Sequence, residues 1–124
     1  MEELIYQSLP SFESPEQIEQ IIATGDPHQV CLVPLIVGEG ASDWRYAQSV
    51  CLQLADHSDP DVRANACLGL GYIARVHGVL DKRLVKPVLL RELNSQTESK
   101  GNIIAGIEDI NHFLGWRIAH KHLE

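Results

Sequence analysis

The stretch from Asp56 to Arg75 sets the rhythm of the chain. A polar turn ends in Asp59-Pro60, and beyond it Val62, Ala66, Leu70, Ile73 and Ala74 recur at the spacing of one face of an α-helix. Asp59 is placed to cap the first turn, and Pro60 fills a first-turn position that needs no N–H. Gly78 follows the periodic residues, where a left-handed C-terminal cap is expected. The pattern predicts a helix over about 60–77.

The same reading divides the rest of the chain. Residues 2–9 form a short helix or an extended lead-in, stopped by Pro10. Ser14-Pro15-Glu16-Gln17 is a helix start with a serine cap, a first-turn proline and an acid behind it, and Ile18, Ile21 and Ile22 form its buried stripe. Residues 27–37 are apolar nearly throughout. Their β-branched content permits a strand, but Pro34 would break a central one, so a short buried helix is the favoured reading. Gly38-Glu39-Gly40-Ala41-Ser42 reads as a flexible connector. Ser42 or Asp43 then caps a helix to about Ala55, with Ala47, Val50, Cys51 and Leu54 inward. A helix over about 81–93 follows, with Leu84, Val85, Val88, Leu89 and Leu93 buried. Pro87 within it implies a kink or a later start. Asn94 to Lys100 is a polar loop. The last helix, about 100–115, carries Ile103, Ile104, Ile107, Ile110, Phe113 and Leu114, and residues 116–122 extend it or fray.

These helices repeat. Val50-Cys51-Leu52-Gln53-Leu54 overlays Leu89-Leu90-Arg91-Glu92-Leu93 at an offset of 39, and Ala66-Cys67, Leu70 and Ile73-Ala74 overlay Gly106-Ile107, Ile110 and Phe113-Leu114 at an offset of 40. A period near this length with two helices per unit belongs to helical repeat arrays. The segment from Leu54 to Gly71, with Asp59-Pro60-Asp61-Val62-Arg63-Ala64-Asn65-Ala66 at its centre, resembles the signature of HEAT repeats. That resemblance covers residues 47–75 best, is weaker over 82–114, where no Val-Arg pair stands at the matching place, and is inferred for 15–37. It implies an all-α fold: a single domain, a short right-handed α-solenoid of about three HEAT-like helical hairpins at 15–37, 43–77 and 81–115. It also implies that Asp61 and Arg63 brace neighbouring units rather than bind a partner.

Charge adds a second division. Of the 124 residues, the first 61 hold eleven of the seventeen acids and one base, Arg45, whereas the remainder hold six acids and nine bases. The halves stand at about −10 and +3, within a net charge of −7. Such a chain repels nucleic acid, and its acidic half attracts a basic partner. The plainer reading is that the acids keep a small helical protein in solution. No apolar run is long enough to cross a membrane, and Glu2 and Glu3 stand where a secretory leader would be basic, which predicts a cytoplasmic protein. Cys31, Cys51 and Cys67 are odd in number, share no CxxC spacing and each sit in an apolar run, so they read as free thiols of a reducing compartment.

Little in the chain points to catalysis. His112, His120 and His122 could in principle share a metal, but no H-E-x-x-H or matching cysteine spacing accompanies them. The adjacent Glu108-Asp109 pair does not converge as an acid–base pair does, because neighbouring residues on a helix diverge. No serine lies in a nucleophile elbow, and the glycines at 69 and 71 lack the rest of a phosphate loop. The expectation is a protein without enzymatic activity or cofactor.

The pattern Gly71-Tyr72-Ile73-Ala74-Arg75, followed by Glu108-Asp109-Ile110 and Phe113, is similar to that of small HEAT-like immunity proteins of bacterial toxin systems. This resemblance implies a protein that binds and occludes a basic toxin domain, a nuclease above all. The candidate partner contacts are Glu39, Asp43, Asp56 and Asp59 from the acidic half, the aromatic Trp44 and Tyr72, and a patch of Glu108, Asp109 and His112. A solvated polar face is the structural alternative for the carboxylates, and core packing for the aromatics. The protein is expected as a monomer or weak dimer. The alternative function is a small scaffold or adaptor subunit of a larger complex. A chromophore-lyase or chaperone subunit is the third reading, for which no chromophore site is visible.

Overall fold

The computed structural model describes residues 9–95 and 98–119. The lead-in expected at 2–9 lies almost wholly outside the described residues, as do His120 and His122. Within them the chain forms six α-helices and no strand: α1 (Pro15–Thr24), α2 (Pro27–Gly40), α3 (Trp44–Leu54), α4 (Pro60–His77), α5 (Lys82–Ser95) and α6 (Lys100–Leu114). The fold is all-α, and residues 27–37 are helical.

Local chemistry starts four of these helices and stops two of them where the sequence predicts. The Ser14 hydroxyl accepts from the Gln17 N–H at 3.1 Å, Asp26 from Gln29 at 2.9 Å, Asp43 from Arg45 at 2.9 Å and Asp59 from Asp61 at 2.8 Å. Proline occupies the first turn of α1, α2 and α4. Gly78 and Gly115 close α4 and α6 with φ of 70°, a left-handed cap in which glycine carries no Cβ penalty. Residues 116–119 neither extend α6 nor fray. The Asn111 side chain holds both the N–H of Ile118, at 2.7 Å, and its carbonyl, at 3.0 Å, which returns Ile118 to the core.

Three helices run side by side, with α4 in the middle of α2 and α6. Along the first seam Asn65 meets Cys31, Gly69 meets Pro34 and Tyr72 meets Gly38. Along the second, Asn65 meets Asn102, Cys67 meets Gly106 and Gly71 meets Asp109. Both series ascend together, so α2, α4 and α6 are parallel, with α3 and α5 as the return limbs. An up-and-down bundle would alternate its neighbours; parallel neighbours are what tandem hairpins produce.

The seams are backbone-close. A Cβ on Gly69 would lie 2.6 Å from the Pro34 carbonyl oxygen, and one on Gly106 would lie 2.2 Å from that of Cys67. Close approach also explains a departure from expectation. Gly38 and Gly40 do not open a connector, because α2 continues through both and ends where the Ala41 N–H donates to the Val37 carbonyl. α5 likewise begins at Lys82 and runs through an exposed Pro87 to Ser95.

The starts of α4 and α6 stand 40 residues apart, but a second spacing, of 37, relates their facing residues. It superposes Asn65 on Asn102, Gly69 on Gly106 and the cap Gly78 on Gly115. It also places buried Ile73 on buried Ile110, whereas the longer offset would set it on Phe113, which is 44% exposed. Two residues expected in the core are thus outside it: Phe113 and Leu84, the latter 47% exposed. Each flanks a buried stripe by one helical position, close enough in angle for spacing alone to include it.

Candidate functional site

One face of the α2–α4–α6 layer is turned away from α1, α3 and α5. On α4 the inward direction is marked by Arg63, whose Nε meets Glu92 of α5 at 3.1 Å and whose Nη1 donates to the carbonyls of His57 and Ser58. The opposite side of the same helix carries Asp61, Asn65, Leu68, Tyr72 and Val76 at helical spacing, each exposed or half-buried. The matching positions of α6 are Asn102, Ala105, Asp109 and Phe113; on α2 they are Cys31, Leu35 and Glu39.

The N-terminal half of this open face is tied internally. Asn102 donates to the Asn65 side-chain oxygen at 2.7 Å, and Asn65 donates to the Cys31 carbonyl at 2.8 Å, a ladder across all three helices. The Ser99 hydroxyl donates to Asp61 instead of capping its own helix. Asp61 and Arg63 therefore both bridge α4 to the following hairpin. Cys31 lies here, half-buried; burial first, then the nearby Asp59 and Asp61 carboxylates, push its thiol above the ordinary range.

The C-terminal half is different. Tyr72 is half-buried, its Cβ seated where a Cβ on Gly38 would be 2.9 Å away, and the Arg75 guanidinium lies 4.5 Å from its ring centroid. Glu39 follows Gly38 on one side. On the other, the Asp109 Cβ packs on Gly71. Val76 and Phe113 project beyond, 47% and 44% exposed, and the His112 ring meets Phe113 edge-on at 4.6 Å.

Of the nine residues singled out from sequence, Tyr72, Asp109 and His112 lie on this half-face, Glu108 is exposed at its outer edge, and Glu39 is exposed at the end of α2, where it lines a cleft with Leu9, Pro10 and Phe12. Asp59 sits at the opposite end as the α4 cap. The remaining three are elsewhere. Asp43 caps α3, Trp44 is half-buried under the Arg45 guanidinium at 4.6 Å, and Asp56 pairs with Arg91 of α5 at 3.1 Å. Sequence reading passed over Val76 and the Asn65–Asn102 ladder; the recurrence of Asn-x-x-x-Gly at 65–69 and 102–106 is the signal that marks the latter.

Much of the positive charge of the second half of the chain is gathered on one helix. Lys82, Arg83, Lys86 and Arg91 all belong to α5, outside the open face. Glu92, 3% exposed at its side chain, is held between Arg63 and Arg91. The open face keeps the carboxylates of Glu39, Asp61 and Asp109, with Arg75 drawn onto Tyr72.

A solvent-open cleft of about 650 Å³ between α1 and α2 is lined by Glu13, Gln17, Gln20, Ile21, Leu32 and Ile36 among others, a set without a nucleophile–base pair. Burial, then Cys67, raises the Cys51 thiol. Burial, then Glu92, pushes Cys67 up to about 12 against the opposing pull of Arg91. Among the described residues no cluster of three or more His, Cys, Asp or Glu is placed to hold a metal, and no helix is long and apolar enough to cross a membrane.

No family model and no curated protein matches the chain. Among solved structures it is similar to a chain in the crystal structure of a CDI complex from Cupriavidus taiwanensis, at a TM-score of 0.73 and 21% identity, over 87% of this chain and 96% of that one. The two chains share a fold nearly end to end.

Proposed function

We propose that this chain is a non-enzymatic immunity protein that binds a basic toxin domain, a nuclease in the fullest form of the reading, and neutralises it by covering its phosphate-binding cleft. The observation that carries the proposal is the shared fold with a chain of a CDI complex, which we read as a complex of a contact-dependent inhibition toxin with its immunity protein. The open acidic face of the α2–α4–α6 layer supports it, because a nuclease cleft is basic and steered association with such a cleft is fast. The three hairpins are read as HEAT-like units of a short right-handed α-solenoid, and the protein as a cytoplasmic monomer or weak dimer that meets its partner there.

Co-expression with the protein encoded beside this chain tests the reading. The expected result is a one-to-one complex with a basic domain whose toxicity to cells disappears when this chain is present. Toxicity that persists, or stable binding to an acidic or membrane protein instead, would contradict it and favour the scaffold alternative.

A further inference from the structure

We infer that the docking site is the C-terminal half of the open face, centred on Tyr72, and that its occupant is a cationic segment carrying an apolar side chain on the basic toxin domain. The inference rests on the function proposed above and names the surface that performs it.

Three observations coincide there. First, polar groups in the N-terminal half of the face are already engaged: Asn65, Asn102 and Asp61 hydrogen-bond across the helices. In the C-terminal half, Asp109 packs on Gly71 of the helix that carries Tyr72, Glu39 is exposed on α2 one residue beyond the Gly38 that Tyr72 touches, and neither carboxylate has an ion pair or side-chain hydrogen bond among the described residues. Arg75, on the same helix as Tyr72, is stacked on the Tyr72 ring at 4.5 Å and pairs with neither carboxylate. Two unneutralised carboxylates beside an aromatic ring complement a lysine- or arginine-bearing segment. Second, of the three large hydrophobic side chains exposed among the described residues, two, Val76 and Phe113, are at this end of the face. Exposed apolar residues rimmed by charge mark interaction surfaces. Third, Tyr72 is already held by the Gly38 backbone and Arg75, so ordering it on binding costs little. A second copy of this chain is a poor occupant, because its acidic face would meet the same acidic face.

The experiment measures association and dissociation rates between this chain and the recombinant basic domain of the protein encoded beside it. E39K/D109K should slow association about tenfold or more and flatten its salt dependence, because these charges steer the encounter. V76A/F113A should speed dissociation about tenfold, as truncated contact residues do, with association nearly unchanged. E16K/E19K, which makes the same charge change on α1, should alter either rate less than about threefold. All six positions are exposed or half-buried, and denaturant midpoints near the unsubstituted value confirm that each variant folds. If both open-face variants bind as the unsubstituted chain does, or if E16K/E19K alone loses binding, the docking surface is wrong while the proposed function stands. Self-association abolished by V76A/F113A in light scattering would assign the face to a second copy and overturn the inference. Absence of any complex with the unsubstituted chain overturns the function and the inference together.

Discussion

The side-chain amide of Asn102 donates to the side-chain oxygen of Asn65 at 2.7 Å, across the seam between two parallel helices. Asn65 in turn donates to the Cys31 carbonyl, so one residue ties α4 to both neighbours. Hydrogen bonds of this kind contribute about 1 kcal/mol each. Asn65→Ala, which removes both, should lower unfolding free energy by about 2 kcal/mol in urea denaturation, and Asn102→Ala by about 1 kcal/mol. Equal losses would mean that the ladder does not pass through Asn65.

Two glycines of the same helix should respond with opposite sign. A Cβ on Gly106 meets the Cys67 carbonyl oxygen at 2.2 Å, backbone against backbone, so Gly106→Ala should cost about 3 kcal/mol, the upper end for overpacking. Gly101 has nothing within 4 Å of its would-be Cβ, and Gly101→Ala should stabilise by about 0.5 kcal/mol through the unfolded chain. Thermal midpoints moving apart in this way would confirm that α6 meets α4 backbone to backbone at Gly106 and is open at Gly101.

Why these contacts escape a reading of the sequence is instructive. Capping is local, so Ser14, Asp43, Asp59 and Gly78 announce helix ends without knowledge of anything distant. Glycine is ambiguous, since it both breaks helices and lets them approach; Gly38 and Gly40 look like a connector and instead lie inside α2. Register depends on which side of a helix meets which neighbour, a three-dimensional relation in which a difference of three residues is nearly one turn. For the same reason Asp56 and Asp109 look alike in sequence. Only the fold shows that Arg91 reaches Asp56 and that no such cation among the described residues reaches Asp109.

The buried carboxylate of Glu92 makes a prediction about its two arginines. Arg63 is the more enclosed, with 26% of its side chain exposed against 48% for Arg91, and it donates to two carbonyls of the α3–α4 turn where Arg91 donates to one, that of Ala55. Stripping a buried charge of a partner costs several kcal/mol, while exposed pairs contribute little. Arg63→Ala should therefore destabilise by about 3 kcal/mol and Arg91→Ala by about 1 kcal/mol, measured by urea denaturation. The reverse order would place the main support of Glu92 on α5 itself.

The thiols predict a pH limit to stability. Cys67 is pushed from 9.0 to about 12 by burial, and burial raises Cys51 as well. Above pH 9 the unfolded chain releases these protons while the folded chain retains them. Stability is therefore intact below pH 9 and lost as pH climbs towards 12, by about 1.4 kcal/mol per thiol for each pH unit. Denaturant midpoints should fall accordingly. At neutral pH, half-buried Cys31 should react slowly with an aromatic disulfide reagent and the other two only after unfolding. Rapid reaction of all three in the native protein would contradict the packing of α3 and α4.

The proposed function requires that an acidic open face draw in and cover a basic toxin domain. Its most direct test is the association rate of this chain with that domain, followed from about 0.01 M to about 0.15 M ionic strength, over which the screening length falls from about 30 Å to about 8 Å. The predicted result is a fall in association rate of about tenfold or more with a nearly constant dissociation rate. An association rate that does not change with salt would contradict the account.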